Sequence, residues 1–153
     1  MTTVSSILEV TPAMIQSLAG ESVCVLLDID NTLLAPTATV MESRIIDHVN
    51  ALAKQVDVLL CTNNHTPRQK DVAKTLELPI LMQAMKPFGF RVIPFLKQHG
   101  MMDRSVVVIG DQWVTDGWLA KRLGCPIILV EPMAMDRHAV TRLLRRLEKQ
   151  WKR

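Results

Sequence analysis

Two aspartates, Asp28 and Asp30, stand one residue apart at the end of the apolar run VCVLL, and a polar group closes two later apolar runs in the same way. Cys61-Thr62-Asn63-Asn64 ends the run VDVLLC, and Gly110-Asp111 ends SVVVIG, with Asp116 five residues further on. Lys86-Pro87 lies between these two. Side chains two apart on an extended segment face the same way, so Asp28 and Asp30 are expected to converge on one point and Asp111 to meet them from another strand. Carboxylates gathered so closely repel one another unless a cation sits among them. Hard oxygen ligands with room for water suit Mg²⁺, which binds through one or two carboxylates and a substrate phosphate. Taken singly, each residue has an ordinary explanation: an Asp at a strand end is a turn or cap residue, Thr62 a turn hydroxyl, Lys86 a surface charge. Their joint occurrence, in this order and each at its own strand end, predicts a phosphate site.

Bringing these groups to one edge requires a particular architecture. The run that leads to Asp28 and four further apolar runs, 56–61, 79–82, 105–110 and 126–130, read as strands buried on both faces. Helical stretches lie between them near 41–54, 67–76, 87–99 and 114–123. Thr11-Pro12 starts a helix over 12–19 that Gly20 ends, and Thr66-Pro67 opens another. Alternating strand and helix predicts an α/β, three-layer Rossmann-like domain with a five-stranded, mostly parallel sheet. Ligands are then expected at the carboxyl ends of the strands, where strand order reverses. Residues 1–153 read as a single domain, with 1–22 as a lead-in segment and helix and 136–153 as a C-terminal helix.

Composition narrows the function classes. Of the 153 residues 48% are hydrophobic and 22% charged, and no apolar stretch is long enough to span a bilayer. The first residues, MTTVSSILEV, lack the basic and long apolar regions of a secretory signal, so a cytoplasmic protein is expected. A net charge of +3 is too small to argue for nucleic acid. Cys24, Cys61 and Cys125 form no C-x-x-C pair and are expected to be reduced, buried thiols rather than zinc ligands.

The series DIDNTL, CTNN, KP, GDQWVTD resembles the four motifs of the haloacid dehalogenase (HAD) superfamily, specifically its class IIIA phosphatases. The stretches SSILEVTPAMIQSLAGESVCVLLDIDNTL and CPIILVEPM are similar to the YqeG-type branch, which includes phosphatidylglycerophosphate phosphatases. The resemblance implies an Mg²⁺-dependent phosphomonoesterase. Asp28 would attack phosphorus to form an aspartyl-phosphate, and Asp30 would serve as general acid and then general base. Thr62, Asn63 and Lys86 would bind the phosphoryl group. The metal would be held by Asp28, the backbone carbonyl of Asp30, and Asp111, with Asp116 acting directly or through water. Asn31 and Thr32 would shape the loop. His65 has no assigned role, and Trp113 and Trp118 are expected to pack, with a rim contact to substrate as the alternative.

HAD enzymes commonly select substrates with an inserted cap, for which this chain has no room either after Asp30 or between Thr62 and Lys86. An open site points to a bulky substrate or a homo-oligomer. Phosphatidylglycerophosphate is the substrate the branch suggests, and a soluble sugar or nucleotide phosphate is the alternative. The helix over 136–151 gathers Val140, Leu143, Leu144, Leu147 and Trp151 on one face and Arg142, Arg145, Arg146, Lys149 and Arg153 on the other. Packed by its apolar stripe, it would still offer a cationic face to an anionic membrane surface. A phosphorylatable receiver-type module also uses Asp, Thr and Lys on a parallel sheet. It would place its phospho-acceptor after the first acidic pair, whereas here acidic groups bracket Thr62 and Lys86.

Overall fold

A computed structural model describes residues 1–134 and shows a six-stranded sheet in which every pairing is parallel. The strands are β1 (Thr2–Val4), β2 (Val23–Leu27), β3 (Asp57–Cys61), β4 (Ile80–Leu81), β5 (Ser105–Gly110) and β6 (Ile127–Val130), in the spatial order β1-β6-β5-β2-β3-β4. The helices are α1 (Pro12–Ala19), α2 (Ser43–Ala53), α3 (Pro67–Leu76), α4 (Val92–Gln98) and α5 (Trp118–Leu123). From β2 the chain runs outward through β3 to β4, then returns to the other side of β2 to lay down β5. The reversal falls between β2 and β5, and Asp28 and Asp111 follow these two strands directly.

The strands read as unbroken apolar runs because both faces are covered. Val23, Val25 and Leu27 of β2, Val107 and Ile109 of β5 and Ile128 and Val130 of β6 join a core with Ile15, Val49 and Val72 from α1, α2 and α3. Their neighbours Cys24, Leu26, Val108, Ile127 and Leu129 point the other way, against Val92, Leu96 and Leu119 from α4 and α5. Period-two alternation is therefore present in direction although absent in polarity. Helix starts follow local chemistry: Thr11 caps α1 by accepting the Met14 N–H at 3.1 Å, and Pro67 opens α3 behind Thr66.

The sheet has six strands rather than the expected five. The additional strand, β1, is three residues at an edge, pairing Thr2, Thr3 and Val4 with Ile128, Leu129 and Val130. It was illegible because two of its three residues are threonines and an edge strand needs no apolar run. Helix α4 starts at Val92 rather than near 87. Residues 87–91 form turns, with Phe88 N–H donating to Met85 O at 2.9 Å, and Pro94 fits only the first turn of a helix, which pushes the start past Gly89. The helix expected over 114–123 divides into a wide π turn, Trp113–Gly117, and α5. One helix separates Asp30 from β3, and only α3 and β4 separate Thr62 from Lys86, so no cap is inserted there. The basic helix expected over 136–151 lies outside the described residues.

Gly110, the last residue of β5, packs against the Asp116 side chain so closely that a Cβ there would overlap its carboxylate. Gly110→Ala is therefore expected to destabilise the fold by about 1–3 kcal/mol through overpacking, read as a lower urea midpoint at an unchanged slope.

Candidate active site

Each acidic side chain reaches the sheet edge by its own local device. The N–H of Asp28 donates to Ile109 O at 2.8 Å, so the pairing of β2 with β5 carries on into the first aspartate. Asp111 is the next residue after β5. Asp116 is turned back by the π turn, where its N–H donates to Gln112 O at 2.7 Å and its Oδ2 accepts the Gln112 N–H at 3.2 Å. Wide turns of this kind recur at functional sites because they redirect a side chain without ending the helix. Asp28, Asp111 and Asp116 are all buried, and each brings a carboxylate oxygen within 4.8 Å of the others.

Lys86 enters this cluster from the turn after β4. Its ammonium donates to Asp28 Oδ1 at 2.7 Å, Asp116 Oδ1 at 2.6 Å and the Cys61 carbonyl at 2.9 Å, using all three protons. Burial alone would favour the neutral amine, but Asp116 and Asp28 overrule it and raise the lysine's pKa above its ordinary value. Burial pushes Asp28 well above the usual carboxylate range, with Lys86 opposing and Asp116 adding to the rise. Asp111 is pushed up to about 6, first by burial and then by the charge of Asp116. One ammonium against three carboxylates leaves two negative charges if all are ionised, and Asp111 Oδ1 is buried with no hydrogen-bond partner. A divalent cation that prefers oxygen ligands fits both the charge deficit and the orphaned oxygen.

Asp30 lies on the far side of the same cleft, in different company. Its carboxylate accepts from Asn64 Nδ2 at 2.8 Å, from Gln69 Nε2 at 3.2 and 3.1 Å, and from Thr62 Oγ1 at 3.4 Å, with the Arg68 guanidinium at 3.5 Å. It is not one of the three clustered carboxylates. Arg68 also donates to the carbonyls of Ala35 and Ala38 at 2.8 and 2.9 Å, fastening the loop after Asp30 to the start of α3. Gln69 has two tasks, since its Oε1 accepts the Thr66 N–H at 2.8 Å while its amide nitrogen holds Asp30. Sequence reasoning missed Asn64, Arg68 and Gln69. The pattern Thr66-x-x-Gln69 was readable as a helix-capping box, but its second use depends on where α3 points.

Asp28, Asp30, Thr62, Asn63, Asn64, Lys86, Gln112 and Thr115 line one cleft of about 60 Å³. The polar ends of the Asn63 side chain are engaged with the backbone of Lys86: Oδ1 accepts the Lys86 N–H at 2.7 Å and Nδ2 donates to the Lys86 carbonyl at 3.0 Å. The side chain expected to bind phosphate thus holds the lysine in place. Asn31 takes a left-handed conformation at φ 64°, a region that asparagine tolerates, and Thr32 is buried in the tight turn after it. His65 is exposed, Trp113 is buried, and Trp118, which follows the Trp113–Gly117 turn, is 46% exposed. All three cysteines are free, with burial pushing Cys24 and Cys61 up to about 12. Among the described residues no helix is long and apolar enough to cross a membrane.

Comparison with known proteins agrees with this geometry. The family model described as "Mitochondrial PGP phosphatase" matches residues 3–134. The chain is 29% identical over 150 residues to the "Probable phosphatase YqeG" of Bacillus subtilis (strain 168), an alignment covering 95% of this chain and 84% of the relative. Against solved structures there is no significant match.

The raised acids give the metal-free protein a testable pH dependence. An aspartate in the unfolded chain loses its proton near 3.8, whereas Asp111 in the fold does so near 6, so between these values the folded state binds more protons. Stability must then fall as pH rises through this window, and Asp28 acts in the same direction. Calorimetric Tm of chelator-treated protein is expected to be lower at pH 7.5 than at pH 5. Asp111→Asn should flatten that fall, and added Mg²⁺ should reverse it for the unmodified chain.

Proposed function

The chain belongs to the mitochondrial PGP phosphatase family and is a phosphatase; we propose that it hydrolyses the phosphomonoester of phosphatidylglycerophosphate through an aspartyl-phosphate on Asp28. The observation that carries this reading is the pairing across one cleft of two carboxylates in unlike settings. Asp28 sits in a buried acidic cluster on Lys86, and Asp30 in a ring of neutral donors beside Arg68. Asp28 attacks phosphorus as the ester P–O bond breaks, and Asp30 gives its proton to the departing glycerol oxygen. Asp30 then takes a proton from water, whose oxygen attacks phosphorus and displaces the Asp28 oxygen, releasing inorganic phosphate. The two steps replace one difficult displacement by two easier ones, and the proton transfers contribute on the order of 10²–10⁴ in rate.

The remaining groups bind and orient. Thr62, whose hydroxyl accepts the Asn64 N–H at 3.1 Å, can turn its one proton from the long 3.4 Å contact with Asp30 to a phosphoryl oxygen. Lys86 carries its fixed positive charge to the nucleophile's side of the cleft, where it offsets charge on the transferring group. Asp28, Asp111 and Asp116 would hold Mg²⁺, which when bound supplies the charge that keeps Asp28 ionised and draws the phosphoryl oxygens toward the cluster. Asp116 is the least free of the three ligands because it already answers Lys86 and Gln112.

Three observations support a lipid substrate: the family's description, the absence of a cap at either insertion point among the described residues, and a cleft far smaller than an ordinary small-molecule pocket. A space of that size takes the terminal phosphate and leaves the acyl glycerol outside.

The proposal is tested with purified protein on phosphatidylglycerophosphate in mixed micelles beside sugar and nucleotide phosphates. The lipid phosphate is expected to turn over fastest, and a soluble ester turning over faster would reassign the substrate. Asp28→Asn, nearly isosteric but unable to attack phosphorus, should lower turnover at least about a hundredfold with the Tm maintained. Replacing Mg²⁺ by Ca²⁺, which favours more ligands at longer distance, should also suppress turnover.

A further inference from the structure

Single exposed apolar side chains are ordinary on a protein surface, but here a group of them gathers at one rim. Met85 is 49% exposed, Phe88 50%, Phe90 59%, Ile93 45% and Trp118 46%. Contacts join Phe88, Phe90 and Trp118, and Met85 and Ile93 border them along the chain. The Phe88 and Phe90 rings lie 6.3 Å apart, and the Arg122 guanidinium stands 5.1 Å from the Phe88 ring centre and 5.6 Å from that of Trp118. Arg122 also donates to the Pro87 carbonyl at 3.4 Å, tying the Met85–Phe90 turn to α5. Gly89, between the two phenylalanines, lies against Ile93 and Leu123.

This patch adjoins the cleft along the chain. Met85 and Pro87 flank Lys86, whose ammonium is on Asp28, and Gln112 and Thr115 line the cleft in the segment that leads into Trp118. The charge around the patch is of one sign. Residues 85–99 and 112–125 carry the exposed cations Arg91, Lys97, Lys121 and Arg122, and their only acidic residue is the buried Asp116. Aromatic side chains with cations beside them favour the boundary between acyl chains and anionic head groups, where each part finds its own solvent.

We propose that the rim formed by Met85, Phe88, Phe90, Ile93 and Trp118, with Arg122 at its centre, docks on the surface of an anionic phospholipid bilayer. The inference rests on the reading that the substrate is a lipid phosphate, and it adds where the bilayer lies. The aromatic side chains enter the acyl boundary, the four cations face head-group phosphates, and Lys86 on the same turn carries the rim to the mouth of the cleft. A phosphomonoester standing out of the membrane then reaches Asp28 while its acyl chains remain in the bilayer. An open site is thereby closed by the surface that holds its substrate.

The test uses the full chain and two variants, Phe88→Ser/Phe90→Ser and Arg122→Gln, none of whose positions belongs to the catalytic machinery. Sedimentation with vesicles of phosphatidylglycerol and phosphatidylcholine is expected to carry down the unmodified chain, and each variant should bind about tenfold less. Turnover of phosphatidylglycerophosphate in those vesicles should fall in parallel, while turnover of p-nitrophenyl phosphate and of a short-chain, water-soluble phosphatidylglycerophosphate should stay within about twofold. Equal binding by all three proteins would overturn the docking surface. So would light scattering that shows a dimer of the unmodified chain dissociating in the double variant, since the patch would then join two copies. Failure of the unmodified chain to hydrolyse even the short-chain lipid would instead reject the lipid substrate, a result separable from loss of vesicle binding.

Discussion

The ammonium of Lys86 is the charge on which the site's arrangement depends. It lies where burial makes an unpaired ion costly, and it survives there because Asp28, Asp116 and a backbone carbonyl take its three protons. Through these contacts one side chain joins the end of β2, the end of β3 and the turn after β5. The arrangement is deliberately short of positive charge, since Asp111 completes an acidic trio that one lysine does not balance. Burial first, and the charge of Asp116 after it, hold Asp28 and Asp111 above the usual carboxylate range. A site that is electrostatically unfinished without a cation is well suited to bind one, because the energy of relieving the repulsion becomes binding energy.

The lysine in turn depends on Asn63. A primary amide offers one donor and one acceptor in a plane, which matches the N–H and C=O that the Lys86 backbone presents. Thr62 and Asn63 are consecutive, yet their side chains serve opposite walls of the cleft, one meeting Asp30 and the other Lys86. This follows from the alternation of an extended chain just past the end of β3. The same geometry explains why a strand carries the functional residues at its end rather than along it. Only past the last ladder pair do neighbouring side chains escape the two helical layers and open onto the cleft.

Much of this was legible in the sequence because strand ends, helix caps and buried strands obey local rules. The apolar runs placed five strands, Thr11-Pro12 and Thr66-Pro67 placed two helix starts, and polar residues closing the runs placed Asp28, Asp111 and Lys86 at one edge, although the Asp30 carboxylate does not converge with Asp28 as its spacing predicts. Three kinds of feature escaped. Edge strand β1 has too little apolar content to announce itself. The π turn at Trp113–Gly117 has the same residue pattern as a helix, and only the width of its turn, set by the Asp116 and Gly117 N–H groups on Gln112 O, distinguishes it. The third kind comprises side chains whose use is set by tertiary direction. Arg68 reads as a solvated charge on a polar helix, but the first turn of α3 faces the loop after Asp30, and its guanidinium meets two carbonyls and a carboxylate there.

The separation of Asp28 from Asp30 illustrates how two identical residues, two positions apart, acquire different chemistry. Asp28, one residue past the last ladder pair, is still tied to β5 by its N–H on the Ile109 carbonyl, and it is held down among buried charges. By Asp30 the chain has left the sheet and enters the turn in which the Ile29 carbonyl accepts from Thr32, Leu33 and Leu34. That turn carries Asp30 toward α3 and its neutral donors, away from Asp111 and Asp116. Carboxylates that shared one environment would titrate as a coupled pair, whereas the proposed division into nucleophile and proton carrier requires two environments. The two-residue spacing thus keeps both groups on one cleft while the turn separates their surroundings.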